Sequence, residues 1–551
     1  MPQFKRSYLA APVLLLTVVN ACTADTVIPS AVSSITPQAC AALKNTTLIN
    51  TQITQAEWQA AQALKADAHA AMTGSTPSDM QVGAHCLVSG EINRRTGAGG
   101  KPYGIQFQMR LPAAWNGKFL FQGGGGTNGF VAPALGSIPS HGSTATPALL
   151  RGYAVLSQDS GHQGTDTSFA QDQQARLDYA YASTGQATTV AKQLIAQLYG
   201  QPARKSYFMG CSNGGREAMM AAQRYPTEFD GIVAGNPGFR LTYAGVGEAW
   251  DNQQFMRIAP KNAQGQKIVA NAYTQQDLDV VSQAILARCD AKDGLKDGLV
   301  NAWEACDFKP EMVQCKPGQT EGCLSAAKVS TLNAVFGGAK NRRGENVYAS
   351  WPYDAGINTP GWRAWKIGTS QTAQPNAINF TLGAKALTDY FMTPYNPAFD
   401  PLSFDIERDL PKLRQTAAIH NADATFLTTF EQRGGKMIIF HGVSDPVFSA
   451  NDLRDWYLQL QADMGAGTAQ FARLFMVPGM AHCGGGAALD DFDPLTALEQ
   501  WTDKGVAPEQ LIAKGTLPGQ SQPRTQPVCA YPKTAHYQGG DERAAASFVC
   551  R

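Results

Sequence analysis

A mostly parallel α/β sheet interrupted by one large insertion is the fold class this sequence predicts. Three observations predict it. Short apolar runs recur between helix-like stretches, one of those junctions carries Gly210-Cys211-Ser212-Asn213-Gly214, and the rhythm breaks between Gly238 and about Leu427 before resuming. Strand, Gly-x-Ser-x-Gly, helix is the nucleophile elbow of an α/β-hydrolase. The serine occupies a strained turn, and small flanking residues let neighbouring segments pass close to it.

The elements follow in chain order. Lys118 to Gln122 and Tyr153 to Leu156 read as buried strands, and Gln186 to Leu198 reads as a helix ended by Gly200. The run Tyr207-Phe208-Met209 leads into the elbow, and Arg216 to Arg224 forms the helix after it, stopping before Pro226. Gly231 to Gly235 is the next strand. The stretch after it is rich in Trp, Pro, Gly, Asn and Cys and offers no convincing strand, which marks a lid inserted after the sixth core strand. Within it, the turn-rich segment Asn341 to Gln374 is expected at the lid's rim. Lys436 to Phe440 and Arg473 to Val477 complete the sheet. The expected organisation is a signal segment over 1–21, a first core part over 40–238, a lid over 239–427 and a second core part over 428–551.

A serine needs a base, and the base needs an acid to orient it. In this fold they follow in the order Ser, Asp or Glu, His. After Ser212 come His420, His441, His482 and His536. His482 is the expected base, because it lies in a loop behind the strand Arg473 to Val477 and before Gly484 to Gly486. Asp445 is the expected acid, in the turn His441-Gly442-Val443-Ser444-Asp445-Pro446 behind the preceding strand. Singly, each reads as a turn-capping Asp or a structural His. Their order at strand ends favours a triad.

Cys211 precedes the expected nucleophile and Cys483 follows the expected base, so contact between Ser212 and His482 brings both cysteines within disulfide reach. The chain has 11 cysteines, and setting Cys22 aside leaves an even number. Near neighbours suggest Cys289–Cys306, Cys315–Cys323 and Cys529–Cys550, which leaves Cys40–Cys86. Sequence alone does not fix this connectivity.

The N-terminus reads as an export signal, with Lys5 and Arg6 before the apolar run Tyr8 to Val19. Val19-Asn20-Ala21-Cys22 also approximates a lipobox, which would anchor Cys22 by lipid; the expected location is secreted or periplasmic, with outer-membrane anchoring as the variant. No other apolar run is long enough for a transmembrane helix. With 45 Lys+Arg against 44 Asp+Glu over 551 residues, there is no electrostatic case for nucleic acid.

Asp290, Asp293 and Asp297 lie at short spacing among glycines, and hard oxygen donors in a turning loop suit calcium. The spacing is not that of an EF-hand, and a solvated acidic turn is the alternative. The clustered His and Cys of a zinc site are absent, and no organic cofactor is expected.

Cys-Ser at 211–212, His-Cys at 482–483, the acid in His-Gly-Val-Ser-Asp and Gly214-Gly215-Arg216-Glu217-Ala218-Met219 together resemble the tannase and feruloyl esterase family. Phe471 to Met480 and Phe229 to Gly235 resemble its branch that hydrolyses mono(hydroxyethyl) terephthalate. The resemblance implies an esterase for feruloyl, galloyl or terephthaloyl esters, and its cysteine pattern matches the pairing above. It implies Gly126, in Gly123-Gly124-Gly125-Gly126-Thr127-Asn128-Gly129, as second oxyanion donor beside the backbone N–H of Asn213. It implies structural Ca2+ in the lid, held by the side chains of Asp290, Asp293 and Asp297 and the carbonyls of Leu295 and Leu299. It sets Phe448 against the substrate ring, with His441 near the same loop, although a core role accounts for each as well. It aligns Asn379 with an arginine that holds the terephthalate carboxylate, with Lys385 nearby but out of register. A neutral Asn loses the charge-assisted contact, which favours uncharged phenolic esters. An acyltransferase or a non-catalytic binding relative would share this fold.

Overall fold

The computed structural model describes residues 35–63, 70–75 and 80–551. The expected signal segment and Cys22 lie outside the described residues. Among the described residues nine strands form the central sheet: β1 Thr51–Gln59, β2 His85–Thr96, β3 Pro102–Pro112, β4 Lys118–Gln122, β5 Ala154–Gln158, β6 Lys205–Cys211, β7 Gly231–Gly235, β8 Lys436–Gly442 and β9 Ala472–Val477. Their spatial order is β1-β2-β3-β5-β4-β6-β7-β8-β9. From β5 to β9 every neighbour is parallel, while β1, β2, β3 and β5 pair antiparallel.

The strands expected from apolar runs are the parallel ones. They are buried on both faces: Phe119 and Phe121 of β4 join one apolar cluster and Leu120 joins the other. In β2 and β3 apolar and polar residues alternate over much of the length, the pattern of strands with one solvated face. They carry no continuous apolar run. The antiparallel flank β1 to β3 is therefore an addition to the expected sheet.

Helices cover both faces. The helices α1 Ser183–Tyr199 and α2 Asn213–Arg224 pack with the first cluster, as do Leu453 and Leu460 of α5 Ala450–Met464. Leu495, Leu498 and Trp501 of α6 Pro494–Lys504 pack with the second. α1 ends at Gly200, whose φ of 70° is the left-handed C-terminal turn that glycine supplies cheaply.

Between β7 and β8 the described residues contain no named strand. Helices α3 Leu241–Ile258 and α4 Gln275–Cys289 and many short helical turns build this insertion. Counted from β2 the insertion follows the sixth strand; β1 adds one at the edge. Lid and core fall within one compact unit. Five disulfides close the chain on itself: Cys40–Cys86, Cys211–Cys483, Cys289–Cys306, Cys315–Cys323 and Cys529–Cys550.

Candidate active site

β6 ends at Cys211, and Ser212 turns the chain into α2 with φ 61° and ψ −122°, a strained conformation for a non-glycine residue. Two close approaches hold the turn. A Cβ on Gly210 would lie 2.7 Å from the Gly214 carbonyl carbon, and one on Gly214 would lie 2.5 Å from the Gly124 oxygen. Ser212 N–H donates to the Gly235 carbonyl at 3.0 Å, tying the elbow to β7.

The loops after β8 and β9 meet at this serine. His482 Nε2 is 2.8 Å from Ser212 Oγ, and His482 Nδ1 is 2.9 Å from Asp445 Oδ2. Asp445 is buried and also accepts from Asn236 Nδ2 at 2.7 Å and from Val447 N–H at 2.7 Å. Burial opposes its ionisation, but the His482 imidazole, with His441 and Asn236, outweighs burial and holds the carboxyl below its ordinary range. The ring edges of Trp365 and Phe448 each meet His482 with centroids 5.3 Å apart. The Cys211–Cys483 bridge joins the residue before Ser212 to the residue after His482.

A cleft that opens to solvent runs over Ser212, walled largely by Tyr179, Trp365, Tyr390, Phe391 and Phe448. Gly126 and Asn213 both line it, and neither backbone N–H has a hydrogen-bond partner among the described residues. Asn213 opens α2, so its N–H also carries the positive end of the helix dipole. Such an array can take a proton from a serine, present the oxygen to a carbonyl carbon and stabilise the resulting oxyanion.

Glu217, named only within the family motif, braces this half of the site. It is buried, accepts Gly124 N–H at 3.0 Å and Asn128 Nδ2 at 2.8 Å, and reaches Asn213 Nδ2 at 3.3 Å. One carboxylate thus links the Gly-rich loop to the start of α2. Arg216 beside it is buried and bonds Asn213 Oδ1 at 2.6 Å.

The expected substrate residues divide. Phe448 lines the cleft. His441 is buried behind it, donating from Nε2 to the Phe448 carbonyl at 3.0 Å, and is absent from the lining. Asn379 is also buried away from the lining, its amide donating to the Pro446 carbonyl at 2.9 Å. Lys385 is tied to Asp389 at 2.9 Å and does not line the cleft either. The register that set Asn379 against a carboxylate-holding arginine therefore does not bring its side chain to this cleft.

The acidic loop lies elsewhere, at the end of α4. Asp290 accepts the N–H groups of Asp297 and Gly298, each at 3.1 Å, and Asp293 accepts Leu295 N–H at 3.0 Å and Asn301 Nδ2 at 2.7 Å. Asp297 faces Arg524 at 2.7 Å. Burial and the two neighbouring carboxylates push Asp293 up to about 6 although Asn301 and Leu295 oppose the shift. The carbonyls of Leu295 and Leu299 accept no hydrogen bond from the described residues. Three hard donors repelling one another, with two open carbonyls beside them, fit Ca2+ chemically. Among the described residues, however, no three His, Cys, Asp or Glu side chains converge as a formed metal cage.

An elbow serine, a histidine and a buried aspartate under a lid on this sheet define a serine hydrolase of α/β-hydrolase type. The model of the family "Tannase and feruloyl esterase" matches residues 86–551, and the chain belongs to that family. It is 40% identical over 522 residues to the mono(2-hydroxyethyl) terephthalate hydrolase of Piscinibacter sakaiensis, covering 86% of each chain. A probable feruloyl esterase B-2 of Neosartorya fischeri is 29% identical over 460 residues, covering 79% of this chain and 81% of the relative. Among solved structures, feruloyl esterase B from Aspergillus oryzae superposes with a TM-score of 0.74 at 24% identity, covering 94% of this chain and 100% of that one, and so shares its fold. The chain is a carboxylic ester hydrolase, and aromatic esters fit the family's chemistry.

Proposed function

We propose that the chain hydrolyses esters of aromatic acids through an acyl-enzyme on Ser212, as an exported enzyme whose lid binds Ca2+. The observation that carries the chemistry is the continuous path Ser212 Oγ, His482, Asp445 at 2.8 and 2.9 Å beneath an aromatic cleft. Ser212 attacks the ester carbonyl and His482 Nε2 takes its proton. Asp445 holds Nδ1–H, fixing the tautomer and stabilising the imidazolium. The N–H groups of Gly126 and Asn213 bind the oxyanion. The tetrahedral intermediate collapses, the alcohol leaves with the proton from His482, and the acyl group stays on Ser212. Water then gives a proton to His482 and attacks the acyl carbonyl, and a second collapse releases the acid as His482 returns the proton to the leaving Ser212 Oγ.

Five disulfides support an oxidising, extracytoplasmic destination, and no helix of the described residues is long and apolar enough to cross a membrane. The loop from Asp290 to Leu299 is the site proposed for Ca2+, which would neutralise carboxylates that otherwise repel one another; no catalytic step passes through it.

The similarity to a terephthalate monoester hydrolase favours a second substrate reading, that the acyl group is terephthaloyl. Methyl ferulate, methyl gallate and mono(2-hydroxyethyl) terephthalate assayed side by side decide between them. Turnover of ferulate or gallate esters at rates above the terephthalate is expected. No turnover of any of the three would overturn the aromatic-ester reading. Ester exchange outpacing hydrolysis on addition of alcohol would make the chain an acyltransferase.

A further inference from the structure

The polar side chains facing the cleft are almost all engaged within the protein. Thr127 donates to the Thr165 carbonyl, Thr167 to Asp389, Tyr179 to the Gly126 carbonyl and Tyr390 to the Arg176 carbonyl. Ser212 and Asn213 belong to the triad and the oxyanion loop. Among the described residues, Glu248 is the one acidic side chain in this lining, and like the Trp365 indole it keeps an unpartnered polar atom there. It comes from α3, is 2% exposed and lines the same cleft, yet its Oε2 has no hydrogen-bond partner among the described residues. A buried polar group without a partner is costly and calls for an explanation. Its seat is built for it: a Cβ on Gly383, also in the lining, would lie 1.5 Å from Glu248 Oε2.

We propose that the carboxyl group of Glu248 binds a ring hydroxyl on the acyl moiety, so that the cleft selects hydroxylated aromatic acids. This rests on the aromatic-ester reading above and names its substrate class. Burial drives the Glu248 pKa well above the ordinary carboxylate range; Lys366 opposes the shift, while Asp251 and Asp445 reinforce it. The ion pair formed by Lys366 is with Asp251, at 2.5 Å. A protonated carboxyl offers one O–H donor and one carbonyl acceptor. A phenolic hydroxyl, which both donates and accepts, matches that pair. A ring carboxylate does not, because among the described residues no lysine or arginine lines the cleft. A methoxy group in the hydroxyl's place cannot donate and leaves the Glu248 carbonyl oxygen unpaired.

The test compares kcat/KM for methyl 4-hydroxycinnamate, methyl 4-methoxycinnamate and mono(2-hydroxyethyl) terephthalate. The native enzyme should prefer the hydroxylated ester over the methoxylated one by about 10- to 100-fold, the range expected when a buried polar group loses its partner. It should also prefer it over the terephthalate. Glu248→Leu should erase the hydroxyl preference, and Glu248→Gln, which still donates and accepts, should keep part of it. If the leucine variant does not fold, Gly383→Ala, which forces the carboxyl from its seat, should show the same loss. No preference in the native enzyme, or a preference that survives both Glu248→Leu and Gly383→Ala, overturns the proposal. Aromatic esters hydrolysed without hydroxyl preference sink this inference alone. Turnover of p-nitrophenyl acetate with none of the aromatic-acid esters sinks the aromatic-ester reading and this inference with it.

Discussion

At the scale of single residues the site separates groups that react from groups that hold them. Ser212→Ala and His482→Ala should each lower kcat by about 10⁴- to 10⁶-fold, and the double variant should be little worse than either, because the residues act as one unit. Steady-state hydrolysis of p-nitrophenyl acetate measures this, and substantial activity in Ser212→Ala would remove the serine mechanism. Glu217 calls for a different outcome. It touches neither Ser212 nor His482 but binds Gly124 N–H and the side chains of Asn128 and Asn213. Its loss should loosen the oxyanion donors rather than remove one. Glu217→Ala is expected to lower kcat by about 10- to 1,000-fold, up to the cost of deleting one oxyanion donor, with KM little changed. Glu217→Gln should recover part of the rate, since an amide oxygen still accepts from Gly124. A fall in expression or melting temperature without a change in kcat would make Glu217 purely structural. This role was not legible in the sequence. A glutamate on a helix after the elbow reads as a solvated face until the fold turns it inward.

At the scale of elements, what could be read was what the backbone itself demands. The elbow was legible because Gly210 and Gly214 are forced by contacts under 3 Å with neighbouring backbone. The parallel strands were legible because burial on both faces demands continuous apolar runs such as Phe119-Leu120-Phe121. The antiparallel flank was missed because β1, with Thr51-Gln52-Ile53-Thr54-Gln55, buries only Ile53 and Ala56 and is held by its pairing with β2. Asn379 lies on a helical segment that contributes Leu382 and Gly383 to the cleft, but its own side chain turns to the Pro446 carbonyl, a direction that a family alignment does not carry. The link between Ser212 and His482 was readable twice, once in the triad order and once in the adjacent cysteines. It leads to a prediction for those two loops. Cys211→Ser with Cys483→Ser should depress kcat more than it depresses stability. The triad hydrogen bonds remain possible without the bridge, but the loops that set their 2.8 and 2.9 Å distances are freed. Kinetics and thermal unfolding of the same preparation test this; unchanged kcat beside a large drop in melting temperature would make the bridge a staple for folding only.

At the scale of the whole molecule, the acidic loop sits where the lid meets the C-terminal part of the core. Asp297 faces Arg524 at the start of the strand Arg524–Cys529, and Gln520 Nε2 donates to the Asp297 carbonyl at 3.3 Å. The Cys289–Cys306 bridge closes the loop on the lid side, and Cys529–Cys550 closes the core side. A cation bound to Asp290, Asp293 and Asp297 would therefore brace the contact between two parts of the chain far apart in sequence, away from Ser212. That placement predicts a separation between stability and chemistry. Binding to the folded state alone stabilises by mass action, about 2.7 kcal/mol when the free ion exceeds its Kd a hundredfold. Chelation should thus lower the melting temperature by a few degrees while the initial rate of ester hydrolysis below that temperature changes little. Asp293→Asn should reproduce the lower melting temperature in calcium and abolish the response to chelator. Elemental analysis after dialysis against calcium should find about one ion per chain. Absence of the ion together with an unchanged melting temperature would mean that Arg524 and the loop N–H groups suffice to hold these carboxylates, and that the loop is a closed acidic turn.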